Sequence, residues 1–433
     1  MIHTGRVITP NALLAILLVA FPVLAQERPQ PESPNSSWAV LHGRGYTAFA
    51  SGRYADALTD FKASLPLAAG PEQRAMTLSD FGYTLAELGR AAEALEQLEQ
   101  ALALWRGVDP AGHPALQVAT TVGILQRTLG NFRESEQTLR AVADSARRDS
   151  SDRALALVAL GDLMNEQDRF IEARPVFEAA LKLSPERDRT RAAALIGLGD
   201  AQSNGGQFQP GIVQLREALA ISREINVSEL EALALRDLGN TYAEMGDFAS
   251  AQTMLRRALP IFEAAPGMRI QYAGTLVSLG VIYGAEDKLG LAEDGFARAL
   301  KVYGDASANP RSALALQNLA MIRAQQKRFA EAEDLARRAH SALKSAFGET
   351  SAPAAHALGT LARVEEKAGN LEQSEHDYSR ALAILRDDGV LGSASVSGIL
   401  SGYVTVLRKL HRRHEARVVE QQLKAFRNTG DSQ

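Results

Sequence analysis

The residues Asp237–Leu259, DLGNTYAEMGDFASAQTMLRRAL, contain the pattern that determines the fold of the whole chain. Gly239 and Ala251 are small residues twelve positions apart, with Gly246 between them and the aromatic residue Phe248 soon after that glycine. Apolar residues then recur at intervals of three and four, which is the period of an amphipathic helix. A glycine between two such stretches is typical of a helix end. The segment therefore predicts two antiparallel helices that cross closely at their small residues.

The same twelve-residue spacing between two small residues occurs ten times, and successive pairs begin 37 to 42 residues apart. A single hairpin of about forty residues cannot bury its own apolar face, so neighbouring hairpins must stack and share one core. The pairs are Gly45/Ala57, Gly82/Ala94, Gly123/Ser135, Gly161/Ala173, Gly199/Gly211, Gly239/Ala251, Gly280/Ala292, Ala320/Ala332, Ala362/Ser374 and Val404/Ala416. The residues predicted to end the first helix are Gly52, Gly89, Gly130, Asp168, Gly206, Gly246, Asp287 and Gly369.

These repeats resemble the tetratricopeptide repeat, whose signature has small residues on both helices and an aromatic residue after the turn. The resemblance covers Trp38–Phe426 and is clearest in Ala159–Pro185 and Asp237–Leu259. The usual repeat has 34 residues, whereas this one has about 40, which is similar to the longer variant of kinesin light chains. Asp109–Pro114 looks like the loop between repeats in that variant, although kinesin binding is not implied. The resemblance implies an all-α fold, a right-handed superhelical solenoid of about ten antiparallel helical hairpins.

The N-terminal residues 1–25 have the layout of a secretory signal peptide. Arg6 precedes the apolar run Ala12–Leu24, and small residues stand just before Gln26. An apolar run of about 13 residues is shorter than the roughly 20 that span a bilayer. We expect the chain to be a bacterial protein exported to the periplasm or secreted, with no membrane span after signal removal; an uncleaved anchor is the alternative. Gln26–Ser37 contains three prolines and is expected to be a solvated linker.

The last hairpin, Gly402–Phe426, is expected to cap the solenoid, and 427–433 to form a polar tail. Arg413 stands where an aromatic residue is expected, and Glu420 where Phe or Leu should pack. A terminal repeat needs a polar outer face because no neighbour covers it. A basic run in this hairpin is either an anion or lipid patch or an ordinary solvated surface. The run consists of Lys409, Arg412, Arg413 and Arg417.

Composition and motifs argue against catalysis. The chain has no cysteine, which excludes disulfides, cysteine-based zinc sites and thiol nucleophiles. Its 47 Lys+Arg against 51 Asp+Glu, a net charge of −4, provide no basic field for nucleic acid. There is no nucleophile elbow, phosphate loop or dinucleotide fingerprint, and His414-Glu415 lacks the second histidine of a zinc-protease motif. We therefore expect no enzyme, no catalytic residue, no cofactor and no metal site.

The resemblance implies that the first helices of successive hairpins line a concave groove and the second helices form its outer wall. Side-chain amides can bind the backbone of an extended peptide there, and acidic groups favour lysine or arginine on it. Three aromatic residues at the N-terminal end suggest a pocket for an apolar side chain, and Arg127 and Arg363 lie towards the two ends. The predicted groove residues are Tyr46, Phe49, Tyr83, Asp162, Asn165, Glu166, Asp200, Ser203, Asn204, Asn240, Glu244, Gln317, Met321 and Gln325.

The sequence thus predicts a non-enzymatic scaffold of the cell envelope that binds a protein or an extended peptide through this groove, with a preference for basic residues. The main alternative is an accessory or receptor protein that binds a small ligand or a cell-wall fragment in a closed pocket at the aromatic end. A hydrolase would need histidines and acids clustered in such a pocket. A cytoplasmic regulatory solenoid is a further alternative if residues 1–25 are not a signal.

Overall fold

The computed structural model describes residues 36–147, 150–304, 310–387 and 394–430, which contain twenty α-helices. The predicted signal peptide, most of the predicted linker and residues 431–433 lie outside the described residues. The first ten helices are α1 Ser37–Ala50, α2 Tyr54–Ser64, α3 Pro71–Glu87, α4 Ala91–Val108, α5 His113–Thr128, α6 Phe132–Ser145, α7 Ser151–Glu166, α8 Phe170–Leu183, α9 Arg189–Asn204 and α10 Phe208–Glu224. The others are α11 Ser228–Glu244, α12 Phe248–Ala264, α13 Arg269–Ala285, α14 Leu289–Tyr303, α15 Ala313–Gln325, α16 Phe329–Phe347, α17 Ala352–Ala368, α18 Leu371–Asp387, α19 Ala394–Lys409 and α20 Arg413–Gly430.

The helices pack as consecutive hairpins, so the all-α prediction is confirmed. Within a hairpin the odd-numbered first helix packs against the even-numbered second helix, as α3 does against α4 and α9 against α10. First helices of neighbouring hairpins also lie side by side, in the order α5, α7, α9 and α11. The helices divide into two compact units, one that ends at Gln271 and one that begins at Tyr272, three residues into α13. The handedness of the solenoid stays a prediction.

The turns between first and second helices are uniform. All eight predicted helix-ending residues have a positive φ, between 59° at Asp168 and 91° at Gly369. The other two hairpins turn at Lys327 (φ 62°) and His411 (φ 60°), where the sequence gives no glycine. In each of the ten hairpins, the amide of the next residue donates to the carbonyl five residues earlier, at 2.8 or 2.9 Å. This bond closes the C-terminal end of the first helix and requires the left-handed residue before it.

Two serines show how closely the helices of a hairpin approach at the small residues. The Ser135 hydroxyl donates to the carbonyl oxygen of Gly123 at 2.7 Å, and the Ser374 hydroxyl donates to that of Ala362 at 2.6 Å. Both bonds join the two members of a twelve-residue pair. The second helix therefore lies against the backbone of the first, as the spacing predicts.

A large side chain sixteen residues after the first small residue fills the remaining space, a feature that the twelve-residue spacing does not predict. A Cβ on Gly161 would lie 2.6 Å from the ring of Phe177, and a Cβ on Gly239 would lie 2.6 Å from Cγ of Leu255. Phe177 and Leu255 have no exposed surface. The glycine is thus needed because its hydrogen leaves room for the apolar residue of the second helix.

The last hairpin has the polar character expected of a cap. Glu420 occupies the position that a large apolar residue takes in eight of the other nine repeats, and it pairs with Arg408. Lys409 pairs with Glu366 at 2.9 Å, and Arg412 pairs with two glutamates. Two of the four residues of the basic run are therefore paired with acids of the same unit, which favours a solvated surface over an anion site.

Replacing Gly161 by alanine should destabilise the chain by about 1–3 kcal/mol, because the new methyl group would overlap the Phe177 ring. The control is Gly43→Ala in α1, where a Cβ meets nothing within 4 Å. That change should stabilise the helix by about 0.5–1 kcal/mol, since alanine loses less backbone entropy than glycine. Urea unfolding midpoints measure both effects. Shifts of the same sign in both variants would contradict the packing role of Gly161.

Candidate functional site

The predicted groove residues of the middle repeats lie on α7, α9 and α11, the first helices of the fourth, fifth and sixth hairpins. Asn165 links α7 to α9: its Nδ2 donates to the carbonyl of Gly197 at 2.9 Å and to Oδ2 of Asp200 at 3.4 Å. One helical turn later, Asn204 donates from Nδ2 to Oδ1 of Asp200 at 2.8 Å. The structure thus places Asp200 between two side-chain amides.

Arg127 of α5 reaches the acidic residues of α7. Its Nε lies 3.5 Å from Oε2 of Glu166, and its Nη1 lies 3.9 Å from Oδ2 of Asp162. Arg127 is only 3% exposed, and its Nη2 has no hydrogen-bond partner in the described part of the chain. This arginine, predicted near one end of the groove, therefore belongs to the same site as the acids in the middle.

Arg236 and Asp237 of α11 complete the site, and the sequence analysis missed both. Arg236 donates from Nε to Oδ1 of Asp237 at 2.8 Å, with exposed fractions of 0% and 2%. Nη1 and Nη2 of Arg236 and Oδ2 of Asp237 make no hydrogen bond with any described residue. A signal was present: Val158 and Ile196 occupy the position of Arg236 in the two preceding repeats, so an arginine there is exceptional.

These charged side chains of four adjacent first helices influence one another, and we call them the polar strip. The charge of Asp237 acts on both Asp162 and Asp200, and that of Arg236 acts on Asp200. The strip contains two guanidiniums and four carboxyls. Its members are Arg127, Asp162, Glu166, Asp200, Arg236 and Asp237.

Burial keeps part of the polar strip uncharged. Burial, more than any neighbouring charge, raises the pKa of Asp162 to about 7. Burial, followed by the negative charge of Asp237, raises the pKa of Asp200 to about 8, although Arg236 opposes this shift. The pKa of Asp237 is also raised by burial. Near neutral pH Asp162 and Asp200 therefore retain protons in part, because burial disfavours their charged forms.

The pH dependence of stability follows from these shifts. A carboxyl with a raised pKa binds its proton more tightly in the folded chain than in the unfolded chain. The free energy of unfolding should therefore fall as pH rises from about 4 to about 8. The Asp200→Asn variant cannot ionise, so it should lose less stability over this range. The slope should differ by at most about 1.4 kcal/mol per pH unit.

Chemical denaturation at pH 5, 6, 7 and 8 measures this difference. The matched control is Glu99→Gln, which removes an exposed carboxylate from α4. The control should follow the wild-type curve at every pH. Parallel curves for wild type and Asp200→Asn would show that Asp200 is ionised throughout and would contradict its buried, protonated state.

Three titratable groups near helix ends of the first unit influence one another. Glu87 ends α3, and Glu229 lies in the first turn of α11, four hairpins later. Burial and then the charge of Glu229 raise the pKa of Glu87 to about 7. Both glutamates also contribute to the raised pKa of Tyr54 at the start of α2, after burial. The helices of the polar strip lie between α3 and α11 in the chain.

The remaining polar predictions are divided between the two units. Asn240 is partly buried on α11, and Glu244 is exposed at the end of α11, where its charge acts on Asp200. Gln317 is partly buried on α15, and the exposed Gln325 donates to Asp287 at 3.1 Å. The two glutamines belong to the second unit and are not part of the polar strip.

The aromatic residues predicted to line a pocket lie instead in or against the apolar core. Tyr83 is 1% exposed and Phe49 is 7% exposed, each within an apolar core cluster, and Tyr46 is partly buried against the Phe49 cluster. Large rings at these positions gain more by burial in the core than by facing solvent. Phe49 and Tyr83 therefore do not line an accessible pocket, and the small-ligand alternative loses the feature on which it depended.

Two further buried pairs of ionisable residues lie between neighbouring helices, outside the polar strip. Nε2 of His42 lies 3.0 Å from Oδ2 of Asp80, and Trp38 stacks on the His42 ring at 4.8 Å between centroids. In the second unit, burial and then the charge of Asp377 raise the pKa of Glu365 to about 8. Both pairs join neighbouring helices inside the cores, and no motif in the sequence predicted them.

The described residues offer neither a metal site nor a membrane span. Across the described ranges, no group of three or more His, Cys, Asp or Glu residues is placed to hold a metal ion. The half-motif His414-Glu415 lies exposed at the start of α20, where Glu415 pairs with Arg412. None of the described helices is long and apolar enough to cross a membrane.

Comparison of the sequence with protein families identifies the class. Residues 39–107, 73–148, 190–264, 230–305 and 311–387 match one model described as tetratricopeptide repeat, and residues 123–188 match a second with the same description. These segments span most of the chain, so the chain belongs to the tetratricopeptide repeat family. It is a protein-binding scaffold of stacked helical hairpins. The final hairpin, α19–α20, lies beyond the matched residues.

Several solved structures are similar in fold. A Rap protein complexed with Competence and Sporulation Factor has a TM-score of 0.60 at 13% identity, covering 83% of this chain and 99% of that chain. The apo form of the quorum sensor NprR from B. thuringiensis has a TM-score of 0.58 at 15% identity, covering 78% of this chain and 97% of that chain. BtubC (BKLC) from P. vanneervenii has a TM-score of 0.45 at 20% identity, covering 52% of this chain and 93% of that chain.

At these identities the similarity establishes the fold alone. Among curated proteins, no sequence matches the chain. The resemblance to the long repeats of kinesin light chains therefore stays a prediction, as does the export of the chain to the cell envelope.

Proposed function

We propose that the first unit binds an extended segment of a partner protein along its first helices, without catalysis, in the cell envelope. The observation that carries this proposal is the polar strip, which lies on α5, α7, α9 and α11. In the tetratricopeptide repeat fold the first helices are expected to line the inner side of a concave groove, so the strip would face a bound segment. A partner segment lying along this side would contact four hairpins at once.

The unpartnered atoms of the strip indicate what kind of molecule fits. Arg127 and Arg236 present buried N–H donors, and Asp237 presents a buried acceptor, none of which has a partner within the described chain. Each buried polar group without a partner costs about 1–3 kcal/mol. An extended peptide carries one N–H and one C=O per residue, so it can satisfy donors and acceptors in alternation. A purely apolar ligand would leave all of them unsatisfied.

The location in the envelope rests on residues 1–25 and their signal-peptide layout. When the full chain is expressed with this leader in a bacterial host, signal peptidase should remove Met1–Ala25. The mature protein should then begin at Gln26 and be released with the envelope fraction. Edman sequencing and intact-mass measurement of the purified protein test this. A chain that still begins at Met1 would contradict export by a cleaved signal.

Binding at the first helices can be tested with a random library of displayed 12-residue peptides, selected on the mature chain. Asn240 lies partly buried on α11, beside the strip, and Asn240→Trp would place a bulky ring over the inner side. Peptides selected on the wild type should bind this variant at least tenfold more weakly. Fluorescence anisotropy with labelled peptides gives the dissociation constants.

The matched control is Ala249→Trp, which adds the same ring to an exposed position on α12, the second helix of the same hairpin. This variant should bind the selected peptides as the wild type does. Thermal unfolding shows whether each variant is folded. Equal binding by Asn240→Trp and wild type, or no selectable peptide at all, would overturn the proposed function.

A further inference from the structure

We propose that the polar strip binds one cationic side chain of the partner segment, a guanidinium or an ammonium, and releases protons as that side chain binds. This inference rests on the proposed function and identifies the feature of the partner that the site recognises. The basis is the composition of the strip and its burial, together with the free acceptor of Asp237.

The charge balance of the strip favours a cation over an anion. Four carboxyls from α7, α9 and α11 face two guanidiniums from α5 and α11, which leaves an excess of two acidic groups. A bound carboxylate or phosphate would enlarge this excess in a buried site, where uncompensated charge is costly. A cation reduces it. The strip can therefore accept positive charge and still remain close to neutral.

The surroundings of Asp200 indicate where the cation binds. Asn165 and Asn204 donate to its two oxygens, Arg236 and Asp237 act on it from α11, and Asp162 acts on it from α7. The remaining charge that affects it is that of Glu244 at the end of α11. Oδ2 of Asp237 is an acceptor without a partner among the described residues, and Asp237 as a whole is 2% exposed. The charge of this carboxyl acts on both Asp162 and Asp200. These three carboxyls form the acidic centre of the strip.

The two arginines have a different role in this arrangement. Nη2 of Arg127 and both Nη atoms of Arg236 can donate only to acceptors, so they suit the carbonyl oxygens of the bound backbone. The backbone would then be held by arginines and amides, while the carboxyls hold one side chain. This division assigns each unpartnered atom of the strip to a group that an extended basic peptide possesses.

Proton release follows from the state of the carboxyls before binding. The raised pKa values of Asp162 and Asp200 mean that both hold protons in part near neutral pH. A bound cation within hydrogen-bond distance favours the ionised carboxylate, so these protons leave on binding. The affinity for a basic peptide should therefore increase with pH between 6 and 8, by at least tenfold over this range.

The test uses 12-residue peptides selected at pH 8 from the random library on the mature wild-type chain. The selected peptides should share a recurrent arginine or lysine. Replacing that residue by the neutral isosteric citrulline (for arginine) or norleucine (for lysine) should weaken binding at least tenfold. Titration calorimetry in phosphate and in Tris, whose ionisation enthalpies differ, should show release of about 0.5–2 protons per peptide at pH 7.

Two variants of equal charge change locate the effect. Asp162→Asn with Asp200→Asn removes the two carboxyls whose pKa values are raised to about 7 and about 8, so the neutral substitution in the peptide should then change affinity less than twofold and proton release should fall well below that of the wild type. Glu96→Gln with Glu99→Gln removes two exposed carboxylates from α4 and should leave both properties as in the wild type.

The two proposals fail in different ways. Selected peptides that bind Asn240→Trp more weakly than the wild type, but share no basic residue, would overturn this inference. The proposed function would still stand. Binding without proton release by the wild type would overturn it as well, and needs no variant. If no peptide is selected at any pH, the proposed function fails and this inference fails with it.

Discussion

In seven of the ten hairpins a glycine of the first helix lies against a large apolar residue of the second helix, and this contact is the constraint on which the structure depends. At Gly161 even one methyl group would overlap the ring of Phe177. The turn residue that joins the two helices has a left-handed conformation in every hairpin, because the bond that closes the first helix requires it. The joints between hairpins are less constrained, and repeat length varies there from 37 to 42 residues.

The polar strip is built into the same first helices that form this framework. At the position of Arg236, the two preceding repeats have valine and isoleucine, which pack in the core. Placing a guanidinium there, bonded to Asp237 and otherwise unpartnered, lowers stability relative to a well-packed apolar side chain. Such a local loss of stability is common at binding sites. The buried positions of the second helices are mainly alanine, leucine and phenylalanine, with Asp60 and Asp377 among the exceptions.

The framework could be predicted from the sequence because it repeats. Ten spacings agreed with one another, so the number of hairpins and the eight turn residues followed without knowledge of any contact. The strip could be predicted only in part. The residue after each small residue lies at the border between core and surface, and the type of side chain determines whether it is buried in the core. At this position Tyr83 enters the core, whereas Asp162 and Asp200 remain at the border and hold raised pKa values. Arg236 was missed because its position is apolar in neighbouring repeats.

The extent of the polar strip has a kinetic consequence under the proposed function. A segment bound along the strip contacts four first helices, α5, α7, α9 and α11, so a partner has to present an extended stretch of chain. Association would be limited by how often a partner presents a chain end or a slack loop. Dissociation would be slowed because contacts on four helices have to break. The first unit would therefore select partners by the accessibility and flexibility of one segment, before the chemistry of that segment is read.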